Sequence, residues 1–372
     1  VSTLNKQTKE TIEIDIAIIG GGSAGITLAS KLSNLSALVI EPRTPLERDC
    51  SWALWANTTQ TKTFAPSTKG SWKQWRLIDH YEEILHNSEQ FSYTSLSSAS
   101  YMAECENSLS DGVNLVRAAA KNIVAAGDGG SFTAAGQNYS AAYLYDSRPP
   151  KMATNSLKQH FLGWEIRTKS PIDKPEIATL MDFRVDQSRG LHFIYALPFS
   201  SNHILIESTM ISTNIEDKTW YRQAIEQWLQ QQNIEIDELL GEEVGVIPMQ
   251  AVTPTNKSIA CIGAASGAVR LSSGYAFSSI QQQVNKLVQG INRGNHLVPA
   301  PISPGLIRMD EIFNRVLMAQ PELGVSIMMK TAKALSADGF ARFMLGTATW
   351  LDWLKVILAM PKLPFLKQVF SQ

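Results

Sequence analysis

The stretch from Ile12 to Gly25, IEIDIAIIGGGSAG, sets a β-strand directly before a glycine-rich turn, and that junction restricts the chain to few folds. Ile12, Ile14, Ile16, Ile18 and Ile19 predict a strand buried on both faces, as in a parallel sheet. Gly20, Gly22 and Gly25 supply G-x-G-x-x-G at the mouth of a helix whose first turn holds Ser23 and Ala24. The first glycine permits the tight turn, the second lets a pyrophosphate approach the backbone, and the third lets helix pack on strand. Free N–H groups at the helix N-terminus add positive potential. A second strand, Ala37 to Ile40, ends in Glu41, about 20 residues past the first glycine, where an acid can hold ribose hydroxyls. Strand, turn, helix, strand and acid together predict a Rossmann-type α/β lobe built for a dinucleotide.

With 372 residues the chain can form two or three lobes around substantial cores. A net charge of −1 provides no basic field for phosphate backbones, so nucleic acid is not expected as a partner. Cys50, Cys105 and Cys261 lie far apart without a C-x-x-C pair, and six histidines are scattered, so neither disulfides nor a metal site is expected. That cysteine usage fits a reducing cytosol. Val1 to Thr11 is polar, unlike a secretory signal, and no apolar run is long enough to span a bilayer. The end of the chain differs: WLDWLKVILAMPKLPFLKQVF from Trp350 joins an apolar, aromatic face to Lys355, Lys362 and Lys367. Such a segment suits a membrane interface, and equally a terminal helix docked on the core.

Further along, Val113 to Ala118 reads as a strand and Asn122 to Tyr145 as a hairpin turned at Gly127 to Gly130, followed by Asp146-Ser147-Arg148. Phe161 to Arg167, Leu180 to Val185, Leu191 to Leu197 and His203 to Met210 are consecutive strand-like runs, which predict an antiparallel sheet in a second lobe. A helix is expected from Asp217 to Gln231. The chain then returns to the first lobe through Ser258 to Ile262 and Gly263, with a helix over Ser278 to Ile291. From Ile302 the sequence is mostly helical.

In this order the motifs resemble those of the bacterial lycopene β-cyclases, FAD-dependent proteins of carotenoid biosynthesis. The matching pieces are the SW of CSWALW, the YDSR strand end, QHFLGWEI at 159–166, MDFRVDQ at 181–187, FIYALPF at 193–199, LIEST at 205–209 and SGYAF at 273–277. Leu271, Ser272, Ser273, Val269 and Arg270 depart from the family pattern and leave the exact substrate open. The resemblance implies an α/β, two-lobed, hydroxylase-like flavoprotein. Its FAD-binding domain would comprise 12–50, 105–150 and 245–300, its substrate domain 51–104 and 151–244, and a C-terminal helical, membrane-associated region 301–372. The activity implied is non-redox cyclisation of lycopene to β-carotene with FAD in its reduced form and NAD(P)H as reductant. The site would be cytoplasmic, on the inner face of the cell membrane.

By the same resemblance Glu207 is the principal acid/base and Asp182 the second carboxyl, a base or an orienter of Glu207. An apolar setting would keep Glu207 protonated and ready to donate. Gly20, Gly22, Ser23, Ala24, Gly25, Glu41, Arg43, Asp146, Gly263, Ser273, Gly274 and Tyr275 would contact the cofactor. Trp164, Phe193 and Tyr195, with Phe161, would wall the substrate tunnel and offer π faces to a carbocation. Two other readings remain: a flavin monooxygenase or epoxidase acting on an apolar substrate, and a non-catalytic flavin- or isoprenoid-binding protein. Gly263-Ala264 stands where hydroxylases commonly carry Gly-Asp.

Overall fold

The computed structural model describes residues 10–370. The motif strand runs Thr11–Ile19 and enters the helix Ser23–Ser30 through the glycine turn. Its C-terminal half, Ile16 to Ile19, is buried between two parallel neighbours, Ala37–Ile40 and Gln137–Asp146. Ile12 is 45% exposed and Ile14 half-buried, which corrects the expectation of a strand covered along its whole length. The reason lies in the pairing: Ala37 joins the strand only at Ile16, so the first residues have Gln137–Asp146 alone beside them.

The first sheet is completed by Val113–Val116, parallel to Ala37–Ile40, and by the short strand Ala260–Cys261 against the end of Gln137–Asp146. The segment read as one hairpin is a three-stranded meander, Lys121–Ala126, Gly129–Ala134 and Gln137–Asp146. Its second turn takes left-handed φ at Ala135 and Gly136. The helices Ser23–Ser30, Ser98–Asn107 and Phe277–Ile291 pack on this sheet through a core that includes Ile26, Met102, Ile280 and Val284. Ser98–Asn107 thus belongs with the first lobe, so the chain crosses between lobes a few residues before the expected boundary at 104/105.

The second lobe is a seven-stranded sheet in the order Ile236–Pro248, Lys158–Thr168, His203–Ser212, Leu191–Ser200, Ile177–Asp182, Gln74–Ile78, Glu83–Asn87. One face is covered by the helix Lys218–Gln231, capped by the Asp217 side chain. Alternation along the strands sends Leu162, Trp164, Ile166, Ile194 and Ile206 to that helix. Their sequence neighbours point to the opposite face, toward the first lobe and the C-terminal helices. A small sheet of Ser51–Asn57, Phe91–Ser97 and Thr68–Trp72 bridges the lobes.

Five helices follow, Pro304–Ala319, Gly324–Ala334, Ala337–Leu345, Trp350–Ala359 and Lys362–Phe370. They close over the second lobe with Val316, Ile327, Phe340 and Val356 in its core. Arg270 and Asp310 form a buried bidentate pair, 2.9 Å at each contact, tying the loop before Phe277 to the first of these helices. Arg270 also donates to the carbonyls of Phe343 and Met344, so this departure from the family pattern is an anchor pointing away from the lobe interface. Among the described residues no helix is long and apolar enough to cross a membrane.

Candidate active site

At the glycine turn, Gly20 adopts φ +98°, and a Cβ at Gly25 would lie 2.0 Å from the Gly20 carbonyl oxygen, so both positions require glycine. The Cα of Gly22 instead faces open space, which leaves room for a ligand against the backbone. Glu41 is buried at the end of its strand, accepting from the N–H groups of Gly21 and Arg43, 3.0 Å each. The Arg43 guanidinium is mostly exposed, 3.8 Å from Glu41. A residue not singled out in the sequence, Arg48, is the buried arginine here. Its Nη1 donates to the Gly21 carbonyl at 2.9 Å, lies 3.6 Å from Glu41, and leaves Nη2 buried without a hydrogen-bond partner. Nothing in its loop sequence marks it.

Asp146 sits at the adjoining strand end, but both its oxygens are taken by Arg148, so it orients that arginine rather than presenting a free carboxylate. Ser147 Oγ accepts from Gly25 N–H at 3.0 Å. Gly263 packs against Ala24, and its N–H donates to Gln283. Ser23 Oγ and Ser273 Oγ are buried without partners. Unfilled donors and acceptors flanking an open, glycine-lined helix N-terminus suit a ligand that carries phosphates and hydroxyls.

From Ser23 and Ala24 a cavity of about 420 Å³ extends between the lobes, past Ser147, Ser273, Gly274 and Tyr275, to Phe161, Phe193, Tyr195 and Glu207. Its inner wall is the second sheet, through Phe161, Phe193, Tyr195, Glu207 and Thr209 among others. Glu243, Gly163, Glu207 and Tyr195 are direct cross-strand partners on four adjacent strands, so they share a face. Both glutamates lean over Gly163, where an added Cβ would meet Glu207 Cγ at 2.7 Å and Glu243 Cγ at 3.3 Å.

Glu207 is buried, and its carboxyl is pushed well above the usual carboxylate range by desolvation and then by the neighbouring charge of Glu243. Burial raises Glu243 too, and it stays above the usual range although the neighbouring Glu207 carboxyl, the Ser51 N–H at 2.9 Å and the charge of Lys69 oppose the shift. Of the pair, Glu243 is therefore better supported as the anion. Next to them three tyrosine hydroxyls form a chain, Tyr195 to Tyr93 at 2.8 Å and Tyr93 to Tyr275 at 2.9 Å. Burial pushes all three pKa values up, so these hydroxyls stay neutral.

Two expected members lie elsewhere. The Asp182 carboxylate faces the helix side: Arg184 grips it bidentately and Trp228 Nε1 donates to it at 3.0 Å. Burial would raise its pKa, but these donors outweigh that and hold it below the usual range. It is a structural anion rather than a second carboxyl beside Glu207. Trp164 also faces the helix, its Nε1 donating to Glu242 at 3.1 Å, because it stands an odd number of residues from Phe161 on one strand. Phe161, Phe193 and Tyr195 do line the cavity.

A second, largely apolar cavity of about 270 Å³ lies between the sheet and the C-terminal helices and shares Gln159, Met181 and Ser273 with the first. Val356, Ile357, Met360 and Phe365 line its far side. On their outer faces the same two helices leave Trp350, Leu358 and Leu363 exposed by 73%, 66% and 73%.

A dinucleotide-type parallel sheet, a second sheet that is antiparallel as expected except where Ile177–Asp182 runs parallel to Gln74–Ile78, and a cavity between them define a two-lobed flavoprotein fold. Solved structures agree: a geranylgeranyl bacteriochlorophyll reductase-like protein from Thermoplasma acidophilum has a TM-score of 0.63 at 14% identity, covering 97% of this chain and 99% of that one. The flavin-dependent brominase Bmp2 has a TM-score of 0.63 at 13% identity, covering 93% and 97%. The family described as lycopene cyclase protein matches residues 15–369, and the chain belongs to it. A lycopene beta-cyclase of Pantoea ananas is 29% identical over 226 residues, which span 56% of this chain and 58% of that protein.

Proposed function

We propose that the protein is an FAD-dependent lycopene cyclase that forms β-ionone rings without net oxidation or reduction. The observation carrying this reading is a carboxyl, Glu207, buried in a mostly apolar cavity that begins at the dinucleotide turn, where desolvation pushes its pKa up and favours the acid form. The turn from Gly20 to Gly25, Glu41, Arg48, Ser147, Gly263 and the loop Ser273 to Tyr275 would hold FAD. Bound there in its reduced form, with NAD(P)H as the reductant, the flavin supplies an electron-rich ring and negative charge near the reacting carbons.

The chain's own residues do the rest. Glu207 donates its proton to a terminal C=C bond, and the resulting tertiary cation is attacked by a neighbouring double bond, closing the ring. A proton then leaves the adjacent carbon for a carboxylate, so substrate and product are isomers. Phe161, Phe193 and Tyr195 offer π faces to the cation and exclude water that would trap it. The C-terminal helices support an approach from lipid: their outer faces present apolar side chains with Lys355, Lys362 and Lys367 alongside, as on a peripheral membrane surface.

Expression in a lycopene-accumulating bacterium should turn the pigment from red to orange at unchanged mass. A monooxygenase or epoxidase would add oxygen to the product. Glu207→Gln should abolish cyclisation while bound FAD, read from its visible absorbance, remains. Full activity in that variant would remove Glu207 from the mechanism.

A further inference from the structure

The family resemblance points to two carboxyls, Glu207 and Asp182, but Asp182 lies on the opposite face of the sheet, held by Arg184 and Trp228. The structure supplies a different partner. Glu243 comes from the edge strand Ile236–Pro248, two strands away from Glu207. The two reach each other because the strand between them has no side chain at Gly163. The adjacent Glu242 points the other way, to Arg222 and Trp164, so only one of the two consecutive acids faces the cavity wall.

Glu243 is fixed rather than free. Its Oε2 accepts from Ser51 N–H, on the strand bridging the lobes. Its Oε1 is buried with no hydrogen-bond donor. A buried carboxylate oxygen without a donor is costly, and a proton held between it and the neighbouring carboxyl of Glu207 satisfies it. The charged groups facing the pair oppose one another, so the proton count is set mainly by the two carboxyls themselves. Lys69, held between Ser51 Oγ and Glu165, contributes positive charge from the Thr68–Trp72 strand. Glu165 returns a negative one from the central strand, and Tyr195, Tyr93 and Tyr275 are neutral.

We infer that Glu207 and Glu243 form a two-carboxyl unit sharing a single proton, in which Glu243 is the positioning residue that keeps Glu207 charged with the proton it delivers. The inference rests on the cyclase reading for the identity of the acceptor, but not for the existence of the pair. In a catalytic cycle the unit gives its proton to the alkene carbon and passes from one negative charge to two as the carbocation forms. The proton lost from the cyclised cation returns to it and restores the starting state. One proton leaves and one comes back, so neither oxidant nor external acid is consumed. The transient second charge appears beside the cation, where it lowers the energy of the charged intermediate.

The test is infrared titration of the carboxylic-acid C=O band in the flavin-loaded protein, with the band assigned by its loss in Glu207→Gln. Glu243→Gln keeps an oxygen for Ser51 N–H and removes the charge. The band's midpoint should move down by about one pH unit or more, and the alkaline limb of the cyclisation profile should move with it. Activity at acid pH should stay within about tenfold of the natural protein. A side chain with only a structural role would lower activity at every pH and leave the midpoint in place. An unchanged midpoint in Glu243→Gln overturns the pair. Should that variant not fold, the natural protein decides alone: absence of the band at pH 7 overturns the proposal, and its presence with two-step loss supports it. If the natural protein makes no cyclised pigment the functional reading falls, while the titration still decides the pair.

Discussion

At the scale of single residues, the burial that raises the pKa of Glu207 also weakens the folded chain. Its pKa is raised on folding, so between its unfolded value, about 4.3, and its folded value the native state binds more protons than the unfolded state. Stability from this group is complete below about pH 4.3 and is lost as pH climbs through the folded pKa. Glu207→Gln removes that loss. Thermal melts should show the inactive variant a few degrees above the natural protein at pH 8 and level with it at pH 4. A natural protein at least as stable as the variant at pH 8 would mean that Glu207 is ionised without cost. Glu207 was legible only through the family resemblance carried by LIEST, and the structure puts it in the cavity lining with Thr209, two residues on along the same face. Alternation also separates Trp164 from Phe161, though both were expected in one wall. Asp182 misled for another reason: an acid two residues before an arginine reads alike whether it pairs with Arg184 or faces a substrate.

The elements tell a similar story about what a sequence reveals. Four strands of the second lobe and the helix Lys218–Gln231 were visible because their apolar residues recur with the proper period, although the run expected over Leu180 to Val185 lies at Ile177–Asp182; the short strands Gln74–Ile78 and Glu83–Asn87 were not read. Nor was Ile236–Pro248. Its run IDELLGEEVGVIP has four exposed or partly exposed acids and two glycines, as suits an edge strand with one neighbour, and nothing local distinguishes it from a loop. Glu243 was therefore hidden with its strand. Gly163 is the element-level device that brings these strands into function, since any side chain there would stand where the carboxyls meet. Gly163→Ala should destabilise by about 1–3 kcal/mol, measured by urea unfolding, and reduce cyclisation more than tenfold. Unimpaired turnover would show that the two carboxyls work apart.

Over the whole molecule, the C-terminal helices have two faces with different duties. The inner one walls the apolar cavity continuous in lining with the site, and the outer one exposes Trp350, Leu351, Leu354, Leu358 and Leu363. The inner side agrees with the docked-helix reading; the exposed apolar outer side is where the proposed lipid contact would lie. Leu358→Glu together with Leu363→Glu should cut sedimentation with anionic lipid vesicles severalfold while circular dichroism and bound flavin stay unchanged. Equal sedimentation would place the membrane contact elsewhere.

The Arg270–Asp310 pair has a further implication. Asp310→Ala would strand a guanidinium inside the protein, a loss of about 3–5 kcal/mol that a lower urea midpoint would register. Because Arg270 sits four residues ahead of Gly274, the damage would spread to the flavin loop, and cofactor retention would fall although the altered residue lies in the helical region. If so, one buried charge makes the helical last fifth or so of the polypeptide answerable for the grip of the N-terminal lobe: evolution could reshape that cover, but could not discard it without loosening the prosthetic group.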